Sequence, residues 1–249
     1  DFVAASYWDV TAQFAKESEQ FSAKLVALDG SRIAVGRDFT DKGELKPKSA
    51  GDGVRALNEV GAREVEKALD GATATVTSVE TKPYTRRPAA PFSTSTLLQE
   101  ASRKLRMSAR DTMRTAQGLY ENGYITYMRT DSVNLSEQAV AAARSQIAEL
   151  YGAESLPGKP RIYATKSKGA QEAHEAIRPA GDHFRTPNQV KNELNTAQFN
   201  LYELIWKRTV ASQMADARGQ TATVRLRVPV SGAASAQDAE FSASGTVIT

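Results

Sequence analysis

The sequence predicts an α+β fold in which a β-rich domain, built from both ends of the chain, receives a mainly α-helical insertion. Three observations carry this expectation. Alternating Thr- and Val-rich segments open and close the chain, "SYWDVTAQF" and "TATVRLRVPV" among them. The middle instead carries long runs with the helical apolar period. Between them "RRPAAPF" is a basic, Pro-containing connector at which the composition changes. These boundaries give a β-rich domain over 1–90 and 217–249 and a helical domain over 91–216. Insertions of this kind are tolerated where the host chain's ends lie close together.

The elements follow in order. "SYWDVTAQF" alternates as a strand, and "KLVALDGSRIAVG" reads as a hairpin turning at Asp29-Gly30. "VRALNEVGAREVEKALDG" has a helical stripe of Val54, Leu57, Val60, Val65 and Leu69, stopped by Gly71. "ATATVTSVETKPY" is a further strand. Ser93, Thr94, Ser95 and Thr96 offer N-caps for "LLQEASRKLR", and Ser108 caps "ARDTMRTAQGLYEN". Ser136 caps "EQAVAAARSQIAELY", ended at Gly152, and "AQFNLYELIWKRTVASQM" is a long helix with Phe199, Leu201, Tyr202, Ile205 and Val210 inward. "TATVRLRVPV" and "AEFSASGTVIT" return to strands around the polar loop "SGAASAQD". The chain starts without an initiator methionine and stops inside strand-like sequence, which reads as a piece of a longer protein.

Composition narrows the chemistry. With 249 residues and 41% apolar side chains the chain can bury real cores. The net charge of +3 is modest, but Thr81 to Arg114 holds eight basic side chains against Glu100 and Asp111, a basic patch or else a solvated face. The absence of cysteine excludes disulfides, thiolate nucleophiles and Cys-ligated zinc, and fits a reducing cytosol; two histidines make a His-rich metal site improbable. No apolar run approaches a membrane span, and no signal-peptide pattern opens the chain. No Walker loop, G-x-G-x-x-G, H-E-x-x-H or G-x-S-x-G is present, so ATP-driven and common hydrolase chemistries lose support.

Three stretches could carry a reaction. In "GYITYMRTDS", Gly123 to Ser132, an extended strand places Ile125, Tyr127, Arg129 and Asp131 on one face. This is an amphipathic strand with a surface ion pair, or a phenol nucleophile beside a guanidinium matched to phosphate oxygens. On the preceding helix Met113, Ala116, Leu119 and Tyr120 are spaced to pack inward, while Arg110, Arg114, Gln117 and Glu121 form a polar stripe. That stripe is a solvent face or one wall of a groove for a polyanion. In "QEAHEAIRPA" a helix would set His174 and Arg178 one turn apart, and hydroxyl-rich "PFSTSTLLQEA" is a helix cap or a secondary phosphate contact.

Taken together, "PFSTSTLLQEAS", "TAQGLYENGYITYMRTDSVNLS" and "QEAHEAIRPA", in this order, resemble type IA DNA topoisomerases. The likeness extends through "YELIWKRTVASQM", and Met128 favours the bacterial topoisomerase I branch over the topoisomerase III branch, which usually has Pro there. The resemblance implies that Tyr127 attacks single-stranded DNA and becomes linked to a 5′-phosphate without ATP, relaxing negative supercoils. It implies that Arg129 positions the scissile phosphate and that His174 is the active-site histidine. Gln117, Glu121, Thr126, Thr130 and Asp131 match positions of the cleavage-site network or DNA contact, and Ser132 and Arg178 belong to the same motifs. Arg110 and Arg114 join them as DNA contacts on the helix stripe.

The same resemblance implies a preceding Toprim domain whose acidic cluster holds Mg2+. None of it is in this sequence, so no metal ligand is expected here. The expected partners are single-stranded DNA and the remaining domains of one polypeptide, Toprim and the domain joining it to the β-rich arch, in the cytoplasm at the nucleoid. The chain by itself should be inactive or nearly so. Two other readings stand beside this one: a winged-helix-like single-stranded DNA-binding module in which Tyr127 only stacks on a base, and a protein–protein hinge module. Tyr127→Phe separates the first two, because only a nucleophile loses a covalent adduct.

Overall fold

The structure is a computed structural model that describes residues 6–163, 175–230 and 238–249. It divides into two compact units, Asp1–Tyr84 with Arg218–Thr249, and Thr85–Ala217. The predicted α+β class is what the chain adopts.

In the first unit β1 (Thr11–Lys16) and β2 (Glu19–Leu28) form a hairpin, and β2 turns through Asp29-Gly30 into the short β3 (Ser31–Arg32). Asp29 and Gly30 both take positive φ, 48° and 76°, the backbone that a tight two-residue turn needs. A short α1 (Pro47–Gly51) and α2 (Glu59–Leu69) precede β4 (Thr75–Arg86); β5 (Ala217–Pro229) and β6 (Asp238–Ile248) complete a sheet of order β1-β2-β6-β5-β4. The β1–β2, β2–β3, β2–β6 and β5–β6 pairs are antiparallel.

The core of this unit sits at one end of the sheet. Leu25 and Leu28 of β2, Leu226 and Val228 of β5 and Phe241 of β6 cluster with Leu57 and with Val65 of α2. A register shift between Leu25 and Ala27 lets the adjacent Ala27 and Leu28 both be buried, which strict alternation forbids. Towards the other end of β5 and β6 hydroxyls face each other instead, Thr221 with Thr246 at 2.8 Å and Thr223 with Ser244 at 2.9 Å. The helical stripe is corrected in two places. Val54 and Leu57 are buried but precede the helix, whose cap is Asn58, and Val60 in its first turn is 65% exposed.

The second unit holds α3 (Thr94–Leu105), α4 (Ala109–Glu121), α5 (Glu137–Tyr151), the one-turn α6 (Pro187–Val190) and α7 (Thr196–Ser212). Ser93, Ser108, Ser136 and Asn195 cap the four longer helices; the last three accept hydrogen bonds from the amides of Asp111, Ala139 and Gln198. Helix α7 packs against α3, α4, α5 and α6 and supplies Leu201, Tyr202, Ile205, Trp206 and Val210 to one core. Phe199, expected inward, is only half-buried. Trp206, not singled out by the sequence, is buried in this core, and its indole donates to Gln146 Oε1 at 2.7 Å while Gln146 Nε2 donates to the Phe184 carbonyl at 2.7 Å. This buried polar chain is fully satisfied and fixes α5 against α7. Among the described residues no helix is long and apolar enough to cross a membrane.

Candidate active site

The predicted strand over Gly123–Ser132 is not one. After α4 ends at Glu121 and Gly123 turns with φ 75°, the chain is irregular, with a single β-bridge between Ile125 and Pro179. The alternation of side chains nevertheless survives over part of its length. Tyr127, Arg129 and Asp131 are exposed, whereas Met128, Thr130 and Ser132 are buried. Ile125, assigned to the exposed face, is 2% exposed and belongs to the core.

What replaces a neighbouring strand is a set of side-chain hydroxyls. Thr94, the first residue of α3, donates its hydroxyl hydrogen to the Met128 carbonyl at 2.7 Å and accepts from the Thr130 amide at 2.9 Å. Its own amide donates to the Thr130 carbonyl at 2.8 Å. Thr126 donates through Oγ1 to the Ala176 carbonyl at 2.8 Å and accepts from the Arg178 amide at 3.0 Å, while its amide donates to the Arg178 carbonyl at 2.9 Å. Tyr127 is thus held by the residues on both sides of it. Thr130 and Ser132 accept through their hydroxyls from the Ser132 and Asn134 amides, at 3.1 and 3.2 Å, shaping the exit of the loop.

The segment after the second motif is also irregular where it is described. Residues 175–180 bridge Phe92 through Ile177 and Ile125 through Pro179, so the expected helical turn is absent from them. His174 lies outside the described residues. Arg178, expected as a DNA contact, is turned inward with its side chain 10% exposed. Its guanidinium donates to Glu175 at 2.8 Å and to the carbonyls of Pro179 and Gly181 at 2.9 and 2.8 Å. Glu175 in turn accepts from the Ser136 amide at 2.8 Å, tying this segment to the cap of α5. Although burial raises the Glu175 pKa, hydrogen bonds from Ser136 and the charge of Arg178 outweigh it and hold the carboxyl below its ordinary value. Arg178 therefore braces the loop, because its donors are spent on protein oxygens.

The three sequence motifs converge here: Thr94 and Phe92 from the first, Thr126 to Asn134 from the second, Glu175 to Pro179 from the third. Above this scaffold Tyr127 is 38% exposed, and its ring meets Tyr120 of α4 edge-to-face, with centroids 5.3 Å apart at 69°. Tyr120 was expected inward but is 42% exposed. Sequence spacing could not single it out, since it shares the apolar face of α4 until the helix ends beside the loop. The stripe behaves as expected, with Arg110, Arg114, Gln117 and Glu121 all exposed. Arg114 pairs with Asp111 at 2.8 Å, and Gln117 donates to Glu121 at 2.8 Å.

A second brace escaped the sequence altogether. Tyr124 donates its phenol hydrogen to Glu193 at 2.7 Å, Arg185 pairs with the same carboxylate, and Tyr202 donates to the Arg185 carbonyl at 2.6 Å. The Arg185 hydrogen bond and then that of Tyr124 pull the Glu193 pKa down to about 2. The same contact raises the Tyr124 pKa. An exposed phenol on a fixed loop, two residues before the exposed Arg129, can present a nucleophile to a phosphodiester without rearranging the backbone.

The whole chain, residues 1–249, matches the sequence profile of a DNA topoisomerase family. It is 56% identical over 255 residues to DNA topoisomerase 1 of Mycolicibacterium smegmatis, covering 100% of this chain and 27% of that protein. To DNA topoisomerase 1 of Streptomyces coelicolor it is 54% identical over 256 residues, covering 100% and 26%. Full-length topoisomerase I from Thermotoga maritima matches in structure with a TM-score of 0.60 at 28% identity, over 96% of this chain and 35% of that one. The chain spans about a quarter of the length of these curated relatives. On a profile match over its full length and identities above half, the chain belongs to the bacterial DNA topoisomerase family.

Proposed function

We propose that this chain carries the nucleophile of a type IA, ATP-independent topoisomerase. The observation that carries the reading is Tyr127 held outward on a loop whose backbone is fixed on both sides, with Arg129 exposed two residues on. Tyr127 Oη attacks the phosphorus of a phosphodiester in single-stranded DNA. The bond from phosphorus to the 3′ oxygen breaks, its electron pair leaves with that oxygen, and a proton converts it to a free 3′-hydroxyl. The phenol loses its proton, and its oxygen is now esterified to the 5′-phosphate. Because that ester keeps a phenolate leaving group, attack by the 3′-hydroxyl rejoins the strand without ATP. Passage of another strand through the break relaxes negative supercoils.

An ordinary phenol has a pKa near ~10, so attack needs proton removal and help for the charge on phosphorus. Arg129 supplies a fork of N–H donors to the non-bridging oxygens. Arg110, Arg114, Gln117, Glu121 and Asp131 line the approach of the strand, while Thr126, Thr130, Ser132 and Arg178 keep the loop in place. His174 takes the role of the family's active-site histidine. The Mg2+ that the resemblance implies would be held by the acidic cluster of a Toprim domain. Among the described residues no three His, Asp or Glu side chains are grouped to hold an ion. The first unit serves as the β-rich arch of the gate, and the chain alone is inactive. The test is reconstitution: single-stranded DNA, Mg2+ and a separately made Toprim-containing fragment should give a denaturation-resistant adduct with this chain. Tyr127→Phe should abolish the adduct, and an adduct that persists in this variant overturns the assignment.

A further inference from the structure

Between α3 and α7 lies a groove of about 650 Å³ that the proposed chemistry does not use. Its walls carry Arg86, Arg87, Arg103, Lys104, Lys207 and Arg208 against only Glu100 and Glu203. The two acids are already engaged, Glu100 with Arg103 and Lys104, and Glu203 with Lys207 at 3.0 Å. The positive charge therefore exceeds what the groove itself neutralises.

Arg208 distinguishes this groove from an ordinary solvated basic face. Its guanidinium lies 4.3 Å from the centre of the Phe92 ring, and that ring is 1% exposed in the core. The side chain is half-buried and so has lost part of its hydration, yet among the described residues its guanidinium makes no hydrogen bond or ion pair. Burial also pulls its pKa below the ordinary arginine value, with the nearby Glu100 charge opposing that effect. A planar fork of donors, fixed on an aromatic face and left without acceptors, is a half-made site for an oxyanion. Arg103 and Lys104 on α3 and Lys207 on α7 extend the positive charge along the groove. An extended polyanion satisfies such a row better than a single small ion. No exposed aromatic ring lines the walls, so the groove suits the backbone of a nucleic acid and not its bases.

We propose that the α3–α7 groove is a second, sequence-independent contact for the phosphodiester backbone of single-stranded DNA, centred on Arg208. The proposal deepens the topoisomerase reading of the chain and rests on it for the identity of the polyanion. The basic guanidinium and ammonium groups hold the strand by charge-assisted hydrogen bonds, and the buried Phe92 links the groove to the scaffold below Tyr127 through the Phe92–Ile177 bridge.

The experiment measures binding of a fluorescent oligothymidylate to the 249-residue chain in the Tyr127→Phe background, across a series of KCl concentrations. This background makes no adduct, so groove binding is scored independently of the nucleophile assignment. Each phosphate contact on a single strand contributes about 0.7 to the slope of log K against log salt. Lys104→Gln with Lys207→Gln, two exposed side chains, should lower the slope by about 1.4, with circular dichroism checking that the variant is folded. Arg208→Gln should lower it by about 0.7. An unchanged slope and affinity in the double variant, or no binding by the parent chain, overturns the proposal. So does displacement of the oligonucleotide by oligoglutamate of equal charge at equal concentration, which would make the groove a protein-docking site. Displacement by millimolar inorganic phosphate with no dependence on oligonucleotide length would reduce it to a free-anion site.

Discussion

Thr94→Val tests the scaffold of Tyr127 without touching the exposed face. Valine keeps the shape and the β-branch at the first turn of α3, so the cavity term is small. What is lost is a hydroxyl that donates to Met128 at 2.7 Å and accepts from the Thr130 amide at 2.9 Å. Met128 and Thr130 are 4% and 8% exposed, so water cannot readily replace either contact. Two hydrogen bonds at about 1 kcal/mol each give a loss of about 2 kcal/mol. Over a chain of this size that lowers Tm by roughly 4–8 °C. The local signature is sharper. If the Thr130 amide exchanges through local opening, about 2 kcal/mol raises its exchange rate about 30-fold. Hydrogen exchange resolved to residues 126–132, alongside thermal melting, is the assay. Unchanged exchange at Thr130 with a Tm drop below about 1 °C would refute the claim that Thr94 fixes this loop.

Three further outcomes follow from the same contacts. Arg178→Met leaves Glu175 and two carbonyls without their buried partner and should cost about 3 kcal/mol in urea unfolding, whereas a pure surface contact would cost under about 0.5. Glu193 has its pKa lowered from 4.5 to about 2, so its contribution to stability is complete above its ordinary value and is lost as pH falls from about 4.5 towards 2. Melting temperatures of the parent chain and Glu193→Gln should therefore differ at pH 6 and converge near pH 2; a constant difference contradicts the linkage. Tyr120→Ala removes the edge-to-face partner of Tyr127 from an exposed position, so the rate of adduct formation in the reconstituted system should fall while Tm changes by less than about 2 °C. Equal rates would leave Tyr120 without a part in orienting the phenol.

The α+β class was legible because alternation and the helical period are direct consequences of which side chains face a core. The caps at Ser108 and Ser136 were equally legible, since a hydroxyl before an apolar run has one obvious use. The Tyr127 segment was half legible. Its alternation of exposure from 127 to 132 is real, but period two says which way side chains point and nothing about what bonds the backbone. Here the Thr94 hydroxyl holds the segment from 34 residues away, and the segment's own Thr126 hydroxyl reaches Ala176 and Arg178, and no composition rule names either link. Buried threonines were missed for a related reason. Thr112 and Thr209 enter the core of α4 and α7 because their hydroxyls donate to the carbonyls of Ser108 at 2.8 Å and Ile205 at 3.0 Å, four residues earlier. Arg178 was drawn towards DNA by its motif, whereas Glu175 three residues away and two carbonyls turn it inward. The Tyr124–Glu193 brace joins residues 69 apart and had no local signal.

The most direct test of the central claim is to digest the reconstituted adduct with protease and nuclease and sequence the modified peptide by mass spectrometry. The account predicts a nucleotide joined through its 5′-phosphate to Tyr127, with the 3′ end of the other product carrying a free hydroxyl. A nucleotide found on Tyr120 or Tyr124, or linked through a 3′-phosphate, would contradict it.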